Sequence, residues 1–450
     1  MYSAQPNRRR RPRRISATGT ATTVAAVYGT YRLARWAWGR WGWKQTGCDS
    51  TDSDVALSSP RSQRSADDAL ALRRRRRSRY DRINRCRSEA RGALEDFLLT
   101  LRAAVESRTD FSEDVAELKR VRSARAELEK HRKSSSGGTE LENPRLEEEE
   151  RNILRREREL WDLVKVKSVT RLLAGVYGHA ALFLVLTTQV HLLGGRLFVE
   201  EKSRKLERKE KDRLSVSGNS SYKIGSAWSP CQEWVSTAEG ETDAAKEMAS
   251  FHNAHRVVLT CTYDYFFDKG VALLVESVQK AVCDALDGWD IMNPATMNIT
   301  SEQFQEGINR ARMSIEKRGA QSSCLIRYFV QQDATLHEEV HDRTALNILE
   351  ETWDILESPV FVTAEQDCLE MTFGIMKEKA WGAIFFSEET CAWASRPLAQ
   401  VVTRLRVAAG TIYGQSSLAS AVSWESNPNI YVPRLEQIPS VTHLGDVSFN

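Results

Sequence analysis

The stretch of this 450-residue chain that most resembles a catalytic motif is His337-Glu338-Glu339-Val340-His341. It matches H-E-x-x-H, in which two imidazoles one helical turn apart hold zinc and the glutamate activates water. In zinc peptidases the neighbours of this motif are apolar, whereas here they are Asp333, Thr335, Asp342 and Arg343. The next acidic candidates, Glu350 and Glu351, would lie about 14 Å further along the same helix, far beyond the ~2 Å of a metal bond. We therefore expect a charged helix surface and no metal site.

Other signatures of enzymes are missing from the sequence. It contains no Walker loop, no G-x-G-x-x-G and no G-x-S-x-G elbow, so we expect no cofactor and no catalytic activity. The arginine-rich tracts could bind nucleic acid, but the tryptophans near them lie beside an uncharged run and not on a β-sheet platform. Contact with a membrane is therefore favoured, and we expect no nucleic-acid partner.

The charge of the chain is unevenly distributed. The formal net charge is +3, yet residues 1–48 contain ten Lys and Arg and no acidic residue. This predicts a basic segment with its own task ahead of a mildly acidic body. The eight cysteines are scattered without a C-x-x-C pair, which favours reduced thiols in the cytosol over a disulfide framework.

Leu172 to Gly195 form a run of 24 residues without a charge. As a helix this run would reach about 36 Å, more than the ~30 Å hydrocarbon core of a bilayer, so hydropathy alone favours a membrane span. However, the run contains His179, Gln189 and His191, which are poor lipid-facing residues. Its large apolar residues recur at helical spacing, as in a helix buried within a bundle.

Several segments resemble the peroxin-3 family of peroxisomal biogenesis factors. They are Leu160–Lys165, Ser168–Arg171, Val176-Tyr177, Gln189–Gly195 and Leu349–Pro359, with weaker similarity in 76–105, 270–286 and 396–399. These segments follow the order of the family over most of residues 75 to 405. The resemblance implies that the uncharged run is a core helix of a soluble bundle and not a membrane span.

The resemblance also implies a function. Peroxin-3 proteins are membrane-anchored receptors that capture peroxin-19, a chaperone that carries newly made peroxisomal membrane proteins. Trp161 aligns with the tryptophan that lines the peroxin-19 groove of the family, and we expect it to be partly exposed at the rim of that groove. Leu160, Leu154 and Lys165 are its candidate neighbours, and Leu98, Leu101 and Val105 on the preceding helix are candidates for the opposite wall.

The N-terminal segment has three open interpretations: a short membrane anchor, a mitochondrial-type presequence, or a disordered basic tail. Seventeen uncharged residues, 15–31, are slightly short for a bilayer, but tryptophans and basic residues follow them as in an interfacial belt. The family resemblance favours the anchor beside a basic targeting cluster. The anchor residues would be Val24, Val27, Tyr28, Tyr31, Trp36 and Trp38, and the targeting residues Arg8, Arg9, Arg10, Arg11, Arg13 and Arg14.

The remaining pattern predicts an all-α fold, an elongated helical bundle with long polar insertions. We expect a basic linker over 49–80, in which Arg73–Arg77 is a candidate contact for anionic lipid headgroups. The bundle domain would span 81–435, with a largely disordered insertion at about 202–245. Residues 436–450 would form a loose tail. The partners expected are therefore a peroxin-19-like chaperone and membrane lipids, and the sequence does not determine the oligomeric state.

Overall fold

The computed structural model describes residues 60–135, 144–218, 253–293, 297–316, 323–329, 342–387, 392–413 and 429–450. Most of these residues are helical, which confirms the predicted all-α class. The helices are α1 Pro60–Arg108, α2 Ser112–Ser135, α3 Pro144–Gly218, α4 253–265, α5 Val271–Ala285, α6 Ser301–Glu316, α7 Arg343–Leu356, α8 Pro359–Met376, α9 Gly382–Phe385, α10 Leu398–Ile412, α11 Tyr431–Leu435 and α12 Pro439–Phe449.

Short irregular elements connect some of these helices. A π-helical turn, Phe266–Gly270, joins α4 to α5, and a second one, Lys377–Trp381, joins α8 to α9. Four strands of two residues form two antiparallel pairs. In the first pair, β1 Asn298–Ile299 lies against β4 Arg396–Pro397, and in the second, β2 Phe386–Ser387 lies against β3 Ala392–Trp393.

Helix α3 is the central element, and its 75 residues would extend about 110 Å as one helix. The uncharged run Leu172–Gly195 lies within it, and every residue of the run is buried. By length and composition Glu147–Glu207 could cross a membrane, but the most apolar window of this segment is entirely enclosed by protein. The prediction that the run is a core helix is therefore confirmed.

Helix α1 packs against α3 in the antiparallel direction. A Cβ on Gly194 would meet Cys86, a Cβ on Gly178 would meet Leu101, and the Arg171 side chain donates hydrogen bonds to Thr109. Leu94, Phe97, Leu98, Leu101 and Val105 recur at helical spacing on α1, and all five are buried. Helices α5, α8, α10 and α12 cover the remaining sides of the uncharged run.

The segment Leu356-Glu357-Ser358-Pro359 shows how the sequence sets a helix boundary. Helix α7 ends at Leu356, and Ser358 then caps α8 by accepting a hydrogen bond from the backbone N–H of Phe361. Pro359 occupies the first turn of α8, where its missing N–H costs nothing and its fixed φ favours the helix. Serine followed by proline therefore ends one helix and starts the next within three residues.

Three predicted boundaries are wrong. The expected linker 49–80 is helical from Pro60 onward, and the expected disordered insertion 202–245 is helical up to Gly218. The side chains of these segments that the structure describes are mostly exposed, in keeping with their polar sequence. Residues 219–245 and 49–59 lie outside the described residues.

The expected loose tail is also wrong, since residues 439–449 form α12. Val441, Leu444 and Phe449 are buried there against α3, close to Gly195. The tail looked loose in the sequence because α12 is short and polar on its outer side. Its three apolar anchors complete the cover over the end of the uncharged run.

We expect Gly195→Ala to destabilise the protein. An added Cβ would overlap the backbone carbonyl of Phe449, and this overpacking should cost about 1–3 kcal/mol in the free energy of unfolding. Gly374→Ala is the matched control, because its Cβ meets open space within α8 and alanine favours a helix by up to ~1 kcal/mol. Urea unfolding of both variants tests this, and equal stabilities would contradict the close packing of α12.

The protein should also lose stability between about pH 6.5 and pH 4 because of His179. Burial lowers the pKa of this imidazole to about 4. The unfolded chain therefore binds a proton that the folded protein does not, and stability falls by about 3 kcal/mol as pH falls through that interval. Urea unfolding at several pH values should show a smaller acid dependence for His179→Gln than for the wild type. The same dependence in both proteins would exclude His179 as its source.

Candidate partner-binding site

The predicted partner-binding residues lie in the N-terminal half of α3, ahead of the uncharged run. Leu154, Glu157 and Trp161 are spaced three and four residues apart, so they share one face of this helix. That face is covered by α2, which runs antiparallel to α3. The pairing of α2 with α3 therefore defines the surroundings of Trp161.

Ion pairs join α2 to α3 along its length. Asp114 binds Lys167 with an O···N distance of 2.5 Å, and Glu117 binds Arg156 at 2.6 Å. The hydrogen bonds of Arg156 to glutamates, chiefly to Glu117, raise the pKa of its guanidinium. Further along, Arg132 lies 3.8 Å from Glu150. Residue numbers rise along α2 as those of their partners fall, which gives the antiparallel register.

Trp161 is buried, which corrects the expectation of a partly exposed side chain at a groove rim. Only 7% of its surface is exposed. The guanidinium of Arg122 on α2 lies over the indole, 5.0 Å from the ring centroid, in a cation–π contact. The indole Nε1 is enclosed and has no hydrogen-bond partner within the described part of the chain. The sequence could not indicate this burial, because α2 reaches Trp161 only through tertiary packing.

Glu157 is a central residue of this site that the sequence pattern did not single out. Its side chain is 3% exposed, and it accepts hydrogen bonds from Arg122 at 2.9 Å and from Arg125 at 3.2 Å. The sequence signal that could have found it is a pair of basic residues, Arg122 and Arg125, about one turn apart on α2, together with a glutamate one turn before Trp161 on α3. A buried carboxylate needs such partners because leaving it unpaired would be costly.

The apolar contact of α2 is small. Of the α2 side chains that the structure describes, Leu118 alone is buried, while Val115 and Val121 are partly buried against the core. Arg122 and Glu117 remain about half exposed even though they form ion pairs. Helix α2 is therefore attached to α3 mainly by ion pairs. Each exposed ion pair contributes little to stability.

The start of α2 is firmly fixed. Buried Arg171 donates hydrogen bonds to the Thr109 carbonyl and hydroxyl, at 2.9 and 3.0 Å, and its guanidinium lies 4.8 Å from the Phe111 ring centroid. Burial lowers the pKa of Arg171. Lys167 donates to the carbonyl of Asp110 at 3.0 Å. The turn between α1 and α2 is thus bound to α3 independently of the ion pairs further along α2.

The three predicted neighbours of Trp161 have different environments. Leu154 is partly buried on the α2-facing side. Leu160 is buried in the core. The Lys165 ammonium binds Asp162 at 2.8 Å and the backbone carbonyl of Trp289 at 2.5 Å, so it joins α3 to the segment after α5.

The predicted opposite wall is wrong. Leu98, Leu101 and Val105 are at most 1% exposed and lie in the core between α1 and α3. Leu101 packs against Gly178, more than four helical turns from Trp161. The antiparallel register of α1 and α3 explains this, since it places α2 and not α1 beside Trp161. The sequence motifs alone could not show which helix covers the tryptophan.

Other predicted sites lie outside the described residues. These are the H-E-x-x-H motif at 337–341, the targeting arginines 8–14, and the anchor residues between 24 and 38. Among the residues that the structure describes, no group of three or more His, Cys, Asp or Glu side chains could hold a metal ion.

The fold and the site define an all-α protein with a long buried central helix and an interhelical contact around an indole. A comparison with protein-family models matches the Peroxin-3 family over residues 61–448. The chain therefore belongs to the peroxin-3 family, as the sequence motifs indicated. No curated protein matches the chain in a search of individual sequences. Membership implies a non-enzymatic role in peroxisome biogenesis and membrane-protein insertion at the peroxisomal membrane.

Proposed function

We propose that this protein is the docking receptor for a peroxin-19-like chaperone, and that docking delivers newly made membrane proteins to the peroxisome. The family match supports a role in insertion, and the finer assignment rests on the surroundings of Trp161. In this mechanism a disordered segment of the chaperone folds into an amphipathic helix and places its apolar side against α3.

The observation that carries this proposal is a large aromatic side chain under a thin, charged cover. Trp161 is enclosed by α2, but α2 contributes few buried apolar contacts of its own. An indole surrounded by groups that exclude water is a common energetic centre of protein interfaces. The adjacent carboxylate of Glu157 would add selectivity, because it requires a basic partner when it is kept from water.

The position of the site fits a receptor attached to the membrane through residues 1–48. That segment precedes α1, whose early turns carry the exposed arginines 73, 74, 76 and 77. The antiparallel register places these turns beside the C-terminal end of α3, where Arg82 interacts with Glu201. Trp161 lies about 40 residues earlier on α3, or about 60 Å away along a helix. With the basic end against anionic lipid, the Trp161 site would face the cytosol.

A second candidate function is a tether that recruits other factors to the organelle. It is favoured by an exposed aromatic pair, Phe386 and Trp393, on the strand pair β2–β3. These side chains are 39% and 56% exposed, and exposed aromatic pairs often mark contact surfaces. This pair is remote in sequence from α2 and α3, so the two functions can be tested with separate variants.

We expect Trp161→Ala to weaken capture of the peroxin-19-like chaperone by roughly thirtyfold, because loss of a central indole costs about 2 kcal/mol or more. Trp393→Ala is the matched control, since it removes an exposed indole elsewhere on the surface. Calorimetry gives the two dissociation constants, and circular dichroism verifies that both variants keep their helices. An unchanged constant for Trp161→Ala would remove this residue from the docking site.

Deletion of residues 1–48 should release the protein from membranes. The most apolar part of α3 is buried within the bundle, and no other helix among the described residues is long and apolar enough to cross a membrane. Carbonate extraction followed by sedimentation measures this, with the full-length chain as control. If the truncated protein stayed in the pellet as an integral protein, the role of 1–48 as the sole anchor would be excluded.

A further inference from the structure

The burial of Trp161 raises a physical problem for docking. A partner helix needs the surface of α3 that α2 already occupies, because the guanidinium of Arg122 lies over the indole of Trp161. Both helices cannot cover the same indole. Docking at Trp161 therefore requires α2 to move, and the contacts of α2 show whether it can.

The contacts of α2 suit a helix that can leave. Its apolar attachment is limited to the buried Leu118 and the partly buried Val115 and Val121. The rest consists of ion pairs and the Arg122–Trp161 contact, and Arg122, Arg156 and Glu117 are about half exposed. Such pairs are weakened by salt and by competing charges. By contrast, α1 is attached through a continuous buried apolar stripe from Ile83 to Val105. A partner could therefore displace α2 without opening the core.

The two ends of α2 also suit this movement. At its start, Arg171 and Lys167 hold the turn Thr109–Phe111 on α3 through backbone carbonyls. These bonds do not depend on the ion pairs further along, so α2 can swing while α1 stays in place. At its other end α2 stops at Ser135, and its last described ion pair with α3, Arg132 with Glu150, is long at 3.8 Å and largely exposed.

We infer that α2 is a built-in occupant of the docking cleft, an autoinhibitory helix that the chaperone segment must displace to reach Trp161. This inference rests on the proposed function and deepens it. The contacts of α2 also describe the helix that would replace it. That helix would present an apolar residue at the position of Leu118 and, one turn further, a Lys or Arg to pair with Glu157. Acidic residues before it would meet Arg156 and Lys167.

The test reverses charges on α2 and leaves α3 intact. In the double variant Arg122→Glu/Arg125→Glu, two carboxylates would face the buried carboxylate of Glu157, so α2 should detach. The matched control is Arg120→Glu/Lys130→Glu, which makes the same charge change on exposed positions of α2. Both variants are made in the full chain, and every residue of α3 that a partner would contact is retained.

Two measurements are made on these variants. Hydrogen exchange should accelerate about tenfold or more in α2 of the test variant and stay at the wild-type rate in the control. The dissociation constant of the chaperone should fall by a similar factor in the test variant alone, because the binding-competent population rises. In the wild type, raising the salt from about 0.1 M to about 1 M should accelerate exchange in α2 more than in α1, since ion pairs are screened.

Each contrary result overturns the inference in a recognisable way. Unchanged exchange in α2 of the test variant would mean that the ion pairs do not hold this helix. Accelerated exchange with an unchanged or higher dissociation constant would mean that α2 does not compete with the chaperone. In the latter case a loss of binding in Trp161→Ala would still support the proposed docking site.

A third measurement separates failure of the inference from failure of the proposed function. If the chaperone bound neither the wild type nor the variants, the docking proposal would fail. A fluorescent synthetic peptide of residues 112–135 would then probe the cleft directly by anisotropy. Binding of this peptide to the double variant, but not of a scrambled peptide, would support an exchangeable helix site. Absence of binding would overturn it.

Discussion

Enclosure of the uncharged run in α3 is the constraint on which the rest of the structure depends. This stretch, Leu172–Gly195, is apolar and long enough to insert into a membrane, so the other helices must cover it on every side to keep it from water. Glycines allow the close approach, since Gly194 and Gly195 lie against Cys86 and Phe449. Its polar residues are accommodated internally: His179 contacts the Ile412 carbonyl, and Gln189 donates to Thr262. Burial by protein therefore replaces insertion into lipid.

The packing around α3 changes along its length. Around the uncharged run the contacts are apolar and continuous, involving α1, α5, α8, α10 and α12. Towards the N-terminal end of α3 the cover passes to α2, and ion pairs replace apolar contacts. A surface that must exchange partners cannot be sealed as tightly as a core, because strong apolar burial would make opening too costly. The Trp161 region has the intermediate packing that the exchange we propose would need.

Membership in the peroxin-3 family suggests a use for this change from apolar contacts to ion pairs along α3. A receptor of the kind that we propose would work beside hydrophobic cargo and lipid. An indole left open on its surface would attract nonspecific apolar partners. Cover by a charged helix would limit such contacts and favour a partner with matching charges. In the arrangement that we propose, selection therefore begins with displacement of α2.

The sequence by itself determined the all-α class, the central helix and the family. These depend on local periodicity and on motifs that survive without knowledge of neighbours, as with Leu94–Val105 and Leu349–Pro359. It did not identify the helix in 439–449, because three apolar residues in a short segment give a weak local pattern. Only the tertiary structure decided which helix lies over Trp161 and that Glu157 is buried beside it. Both facts depend on the antiparallel register of distant segments, and that register is set by packing between helices, which no single helix encodes.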